Sequence, residues 1–384
     1  MENSPPPSGV PPQFTIPPPV ITAPPPQAPI RPRRSWGWII ACVILVVILG
    51  FSLLGNLTQF VTQSVGSGLT RSYRNSTTRA AGPRIEEFLL EDNGARNKIA
   101  VITVDGIIAS TPSPSGNSLV DVMRAQLDRA AEDRRVKAVI LRVDSPGGEV
   151  MASDEINKAL VKFQADSGKP VVCSMGSLAA SGGYYIAAPS RWIVANDLTI
   201  TGSIGVIMHG YNYRGLMDKV GVLPMTFKSG KYKDMLSPDR STNDIPAGER
   251  AMVQALIDET FQKFKGVVRT GRAAAHEQNK AEGRALAFDW EDYADGRVLS
   301  GTQALSLGFV DQLGNFDTAV ARTKTIARIG EANLVEYRER YDIADFFSMF
   351  GQSGAAHDVK IDIGLDIPKL RAGCMYFLWQ TPEN

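Results

Sequence analysis

The sequence predicts an α/β fold with a largely parallel central sheet, preceded by one membrane-crossing helix. Three observations carry this. Near-continuous β-branched runs such as "KIAVITVD", "VKAVILRVD" and "KPVVCSMG" recur through the body, and strands covered on both faces read as unbroken apolar runs. Segments with apolar residues at helical spacing separate them, the alternation expected of crossover units. An uncharged run, "WGWIIACVILVVILGFSLLGNL", stands near the N-terminus, and about 20 apolar residues suffice to cross a bilayer. The chain has 384 residues, 43% apolar and 21% charged, which is ordinary for a globular protein. Net charge is +1, so there is no bulk electrostatic footprint for nucleic acid. Cys42, Cys173 and Cys374 lie too far apart for a metal motif or a disulfide framework.

Residues 1–34 hold 13 of the 24 prolines and read as a disordered, Pro-rich cytoplasmic arm. Residues 35–57 are the transmembrane segment. Arg31, Arg33 and Arg34 precede it, which places the N-terminus inside and the remainder outside the cytoplasm. The apolar run exceeds the core of a cleaved signal peptide, and it continues past Cys42, which argues against lipidation there. Residues 58–96, rich in Ser, Thr and Arg, read as a membrane-proximal stalk. Residues 97–340 form the body, and residues 341–384 a tail whose apolar clusters "YDIADFFSMF" and "CMYFLW" can pack on the body, meet a neighbouring subunit or touch the membrane.

Within the body the first strand starts at Lys98 and ends in an Asp-Gly turn. A helix follows with Ser118 and Asp121 as its capping box and Leu119, Val122, Met123, Leu127 and Ala130 at helical spacing. A buried strand from Val136 is broken by "SPGG", and "ASDEINKALVKFQ" reads as a helix. After "KPVVCSMG" comes "SLAASGGYYIAAP", residues 177–189, read as a helix begun by a tight turn. "RWIVAN", "LTITGSIGVIM" and "MTFKSGKYKD" supply further extended segments. Long helices are expected near 246–269 and 317–329.

In such folds reactive groups gather where strands end and helices begin. Gly147 and Gly148 follow a buried strand, and glycine lets backbone N–H groups face a cleft, where they can hold an oxyanion. Alone, Pro-Gly-Gly is more simply a turn. Ser181 is a possible nucleophile if a base takes its proton; alone, it is more simply a small-residue helix contact. His209, His276 and His357 lack any local signature of a triad. Lysine serves as a base when burial lowers its pKa from about 10.4, and "FKSGKYKDMLSPD" offers Lys228, Lys231 and Lys233. If that stretch is a strand, Lys231 and Lys233 share a face and Asp234 points away.

Taken jointly, "LRVDSPGGEV", "GSLAASGGYYIA", "TGSIGVI", "SGKYKDMLSPDR" and "ADGRVLSGTQALSLGFVDQLG" resemble the signal peptide peptidase A family in its short, single-copy form. These are membrane-anchored serine proteases with a Ser-Lys dyad. The resemblance spans residues 97–330. It implies Ser181 as nucleophile, Lys233 as general base, Ser203 as the hydroxyl that orients the lysine amine, and the N–H groups of Gly148 and Gly182 as oxyanion hole. It implies a crotonase/Clp-protease-like fold of stacked ββα units assembling into a ring. Neighbouring subunits would then contribute the two dyad members. No cofactor and no metal are expected.

The function that follows is hydrolysis of peptide bonds outside the cytoplasm, in remnant signal peptides left in the membrane. Two other readings use the same fold. A crotonase-like acyl-CoA enzyme would need catalytic carboxylates, and a non-catalytic membrane scaffold would assemble without turnover.

Overall fold

The computed structural model describes residues 42–49, 52, 82–113, 116–340 and 375–378. The chain divides into two compact units, Met1–Arg79 and Ala80–Asn384. In the first, residues 42–49 are helical. Among the described residues no helix is long and apolar enough to cross a membrane. The Pro-rich arm, the ends of the predicted span, most of the stalk and most of the tail lie outside the described residues.

The second unit opens with strands β1 (Ile85–Glu91) and β2 (Asn97–Asp105), then helix α1 (Leu119–Glu132) and strand β3 (Val136–Ser145). A short strand, β4 (Gly147–Glu149), leads into α2 (Val150–Ser167). Next come β5 (Val171–Ala180), α3 (Gly182–Ala187), β6 (Trp192–Ala195) and β7 (Ile200–Gly202). Helices α4 (Arg214–Val220) and α5 (Ala247–Asn279) precede β8 (Val298–Ser300), α6 (Gly301–Ser306), β9 (Gln312–Leu313), α7 (Phe316–Ile326) and β10 (Ala332–Glu339). Strand β11 (Tyr376–Leu378) comes from the tail.

The main sheet runs β1-β10-β2-β3-β5-β6-β9, with β7 paired to the far end of β5 and β8 paired to β7. The pairs from β10 through β9 are parallel, and β1 lies antiparallel to β10. This is the predicted α/β class. Strand alternation explains why the central strands read as unbroken apolar runs. Val139, Leu141 and Val143 of β3 pack with Met123 and Leu127 of α1 and Ile156 and Leu160 of α2. Ile140 packs on the opposite face with Ile99, Val101 and Val320 of α7.

The predicted capping box is present. The Asp121 N–H donates to the Ser118 Oγ at 3.2 Å and the Ser118 N–H donates back to the Asp121 carboxylate at 3.0 Å. Helix α1 buries Val120 in place of Val122.

Four local expectations need correction. Residues 177–180 continue strand β5, so only Gly182–Ala187 of the predicted helix is helical. "MTFKSGKYKD" holds no strand; residues 229–236 form successive bends and turns. Residues 85–91, read as stalk, are a strand of the sheet. The helix expected to end near Arg269 runs on to Asn279.

That extension has a physical reason. Gly271 of α5 lies so close to the body that a Cβ there would stand 2.6 Å from the Ala188 carbonyl oxygen. One residue on, the fully buried Arg272 pairs with the equally buried Asp311 side chain and donates to the Ser190 carbonyl at 3.2 Å. Breaking a buried pair leaves one charge uncompensated and costs about 3–5 kcal/mol. Asp311→Ala is therefore expected to lower unfolding stability by about that amount, read as a shift of the denaturant midpoint at unchanged slope.

Candidate active site

The site forms where β3, β5 and β7 end. Beyond Asp144, the chain turns through Ser145 and Pro146 into the two glycines of β4. Gly147 has φ 101°, a conformation that strains any residue with a Cβ. The Ser145 hydroxyl fixes this turn, donating to the Gly106 carbonyl at 2.6 Å and accepting from the Gly147 N–H at 3.1 Å. On one edge of β4, Ile108 donates to the Gly147 carbonyl at 2.9 Å and accepts from the Glu149 N–H at 2.7 Å. Since successive residues in a strand face opposite edges, the N–H and C=O of Gly148 point to the other side.

Strand β5 reaches the same place along an irregular path. Its register against β3 jumps from Val143↔Met175 to Ser145↔Ala179, so β5 carries extra residues there, and such bulges re-aim the chain beyond them. Asp144 braces the bulge by accepting from the Leu178 N–H at 3.0 Å. Ser181 follows with φ 52° and ψ −116° at the start of α3, and it is 1% exposed. Positive φ is costly for a residue with a Cβ and clusters at functional sites.

The glycines after Ser181 are demanded by contact. A Cβ on Gly182 would lie 2.7 Å from the Ser153 hydroxyl oxygen and 3.1 Å from the Gly148 nitrogen. One on Gly183 would lie 2.8 Å from the Ser145 carbonyl oxygen. The backbones of 147–148 and 182 are thus in direct apposition.

Ser203 takes its place through register. Ala180 of β5 pairs with Gly202 of β7, so Ser181 and Ser203 are the next residues of two adjacent parallel strands. The Ser181 N–H donates to the Gly202 carbonyl at 2.8 Å, and the Ser203 N–H to the Arg297 carbonyl at 2.7 Å. Ser203 is buried, also at positive φ, 50°.

Four of the five expected residues, Gly148, Ser181, Gly182 and Ser203, therefore converge. The fifth does not join them within one chain. Lys233 is exposed on a turn closed by its own N–H to the Gly230 carbonyl at 3.2 Å. Among the described residues, no hydrogen bond or ion pair holds its ammonium. Its neighbour Asp234 is engaged elsewhere, with Lys228 at 2.8 Å and Arg240 at 2.9 Å. Arg240 continues to Glu249, which accepts from the Leu236 N–H at 3.1 Å. The Lys228 ammonium, then Arg240, hold the Asp234 carboxyl below the usual carboxylate range. This cluster pins the turn and leaves Lys233 projecting. His209 is exposed, the His276 Nδ1 lies 3.0 Å from the Gly283 carbonyl oxygen, and His357 is outside the described residues.

Sequence reasoning missed two features beside the serine. One is Asp154, which accepts from the Tyr185 hydroxyl at 2.8 Å and pairs with Lys158 at 2.7 Å and Lys263 at 2.9 Å. Burial pushes its carboxyl up, but those three donors outweigh burial and hold it below the usual range. A folded-state pKa below the unfolded value of about 3.9 contributes stability in full above that value. The contribution is lost as pH falls through the lower folded value. Asp154→Asn is expected to flatten the acid limb of a stability-against-pH curve. The other feature is β11, which pairs with β4. Its only sequence signal was the apolar cluster "CMYFLW".

Comparison with known proteins gives the site its context. The model of peptidase family S49 matches residues 163–330. A protein of Enterococcus faecium described as a signal peptide peptidase SppA is 33% identical over 312 residues, covering 80% of this chain and 85% of the relative. A Synechocystis protein described as a protease is 41% identical over 232 residues, 60% of this chain and 75% of the relative. Among solved structures, a mutant of a membrane-bound, stomatin-specific protease matches with a TM-score of 0.31 at 19% identity, over 60% of this chain and 86% of that one. On the extent of the Enterococcus match and the S49 match together, the chain belongs to the signal peptide peptidase A family, a serine peptidase of family S49.

Proposed function

We propose that this peptidase hydrolyses remnant signal peptides with Ser181 as nucleophile and Lys233 as general base. The observation that carries the reading is the buried Ser181 held at positive φ, with the Gly182 backbone pressed against Gly147 and Gly148. The N–H groups of Gly148 and Gly182 form the oxyanion hole, where one well-placed donor is worth roughly 3–4 kcal/mol of transition-state stabilisation. Ser203, one strand over, orients the lysine amine. Ser181 attacks the carbonyl, the amine takes its proton and delivers it to the leaving nitrogen, and water then releases the acyl-enzyme.

Lys233 reaches Ser181 from a neighbouring copy. The segment that carries it exposes large apolar side chains: Phe227 is 91% exposed, Tyr211 85% and Met225 80%. So large an apolar display is expected of a contact surface. Covering it in a ring shields the site from bulk water. The fold we assign is the crotonase/Clp-like one of stacked ββα units. Residues 97–340 are its catalytic domain and residues 341–384 its tail. Residues 1–34 are a cytoplasmic arm, 35–57 a single membrane anchor and 58–96 a stalk. The anchor holds the site at the extracytoplasmic surface, where cleaved signal peptides remain.

A fluorophosphonate probe tests the reading. It should label wild type at Ser181 and leave Ser181→Ala unlabelled. A protein that assembles and binds peptide but never labels would be a scaffold, and one that turns over an acyl-CoA without labelling would be crotonase-like.

A further inference from the structure

We infer that Ser145 is a positioning residue of the reaction: its buried hydroxyl fixes the direction of the Gly148 N–H, and so acts on the transition state without touching the substrate. The inference rests on the oxyanion reading above, in which the N–H groups of Gly148 and Gly182 hold the developing charge.

Ser145 is the last residue of β3, and it is fully buried. A hydroxyl offers one proton and two lone pairs. The Ser145 proton goes to the Gly106 carbonyl at 2.6 Å, and a lone pair takes the Gly147 N–H at 3.1 Å. The Gly106 N–H in turn donates to the Asp144 carbonyl at 2.9 Å. The ends of β2 and β3 are thereby clasped twice, and the turn into β4 hangs from that clasp. Pro146 has no N–H to give, so the Gly147 N–H is the first main-chain donor beyond β3.

The peptide planes carry the consequence to Gly148. A trans peptide is planar, so its C=O and its N–H point in opposite directions. Ile108 holds the Gly147 carbonyl at 2.9 Å, which turns the Gly148 N–H away from Ile108. Ser145 holds the N–H of the preceding peptide. Gly147 joins the two planes at φ 101°, and glycine left to itself populates a wide range of φ and ψ. With both planes held, the aim of the Gly148 N–H is defined. Gly106 lies two residues before Ile108, so the same hydroxyl also tethers the segment that grips the far edge of β4.

Ser145 meets the element of the second donor as well. A Cβ on Gly183 would lie 2.8 Å from the Ser145 carbonyl oxygen and 3.5 Å from the Ser145 Cβ. Ser145 also pairs with Ala179, two residues before Ser181. It therefore stands between the turn that carries Gly148 and the strand that leads to Ser181 and Gly182. Its hydroxyl is engaged with main chain and sealed from solvent.

An oxyanion contact is made in the transition state alone, so weakening it lowers kcat and kcat/KM together. Removing one such donor costs about 10²–10³-fold in kcat. Misaiming it through Ser145→Ala should cost roughly 10–100-fold, with KM within about threefold of wild type. A peptide aldehyde that forms a tetrahedral adduct on Ser181 should weaken by the same factor as kcat. A merely structural serine would behave differently. Its loss would shrink the folded fraction and lower apparent kcat, and the folded remainder would bind the aldehyde as wild type does.

The test is steady-state kinetics and aldehyde inhibition on the full chain. Ser145→Cys keeps a weaker donor and acceptor and should fall between serine and alanine; it decides the matter by the same two measurements if the alanine variant does not fold. Thr323→Ala is the control. It removes another fully buried hydroxyl, bonded to the Ala319 carbonyl on α7 at 2.6 Å, and should lower stability while kcat and aldehyde affinity hold. Turnover by the Ser145 variants equal to wild type, a loss that appears in KM, or a loss of kcat at unchanged aldehyde affinity overturns the inference. If wild type still labels at Ser181 and cleaves peptide, the peptidase reading survives that result. Wild type that neither labels nor cleaves removes both.

Discussion

Ser181→Ala is expected to abolish peptide hydrolysis, with kcat falling by about 10⁶-fold, the scale seen when a serine nucleophile is removed from a comparable site. The fold should not notice. Alanine keeps the Cβ, so it carries the same backbone cost at φ 52° as serine does. The residue is buried within a fully buried helix start, where loss of one hydroxyl opens little space. An unchanged unfolding midpoint with no measurable turnover is the expected pair of results. Substantial residual turnover would mean that another group attacks the carbonyl.

The second large effect is at Lys233. Lys233→Ala removes the proposed base, and a positioned base contributes about 10²–10⁴-fold. The Arg variant separates base chemistry from charge. Guanidinium stays protonated at any pH the protein survives, so Lys233→Arg should be as inactive as the alanine variant if the amine must accept a proton. If arginine restores turnover, position 233 supplies only charge. Neither change should cost stability, because the side chain is exposed and the turn is held by Asp234, Arg240 and Glu249. Asp234→Ala is the contrasting variant, since it removes the anchor of that turn and leaves the lysine itself in place.

The parallel core was legible in the sequence because burial on both faces writes itself into composition. Ile140 and Leu141 point to opposite helical layers, and both have to be apolar. The segment 177–180 was misread because Ala179 and Ala180 suit a helix intrinsically. Pairing with Ser145 and Thr201 overrides that preference. The turn at 229–236 was misread for a related reason. Alternating lysines resemble a strand, but what shapes the turn is an ion-pair cluster reaching forward to Glu249, beyond any local pattern. Strands β1 and β11 carry no strong signal of their own, since one is an exposed edge and the other three residues long. The close approach of Gly147, Gly148 and Gly182 explains why glycines stand beside Ser181. Lys233 could be named only from the resemblance, because no local pattern marks one exposed lysine on a turn as a base.

The central claim is that a serine from one copy and a lysine from the next make one site. Co-expressing Ser181→Ala with Lys233→Ala tests it most directly. If the two groups come from different subunits, random mixing rebuilds intact sites at some interfaces, and turnover should return to roughly a quarter of wild type. If mixed assemblies form and stay as inactive as either variant alone, the shared-site account is wrong.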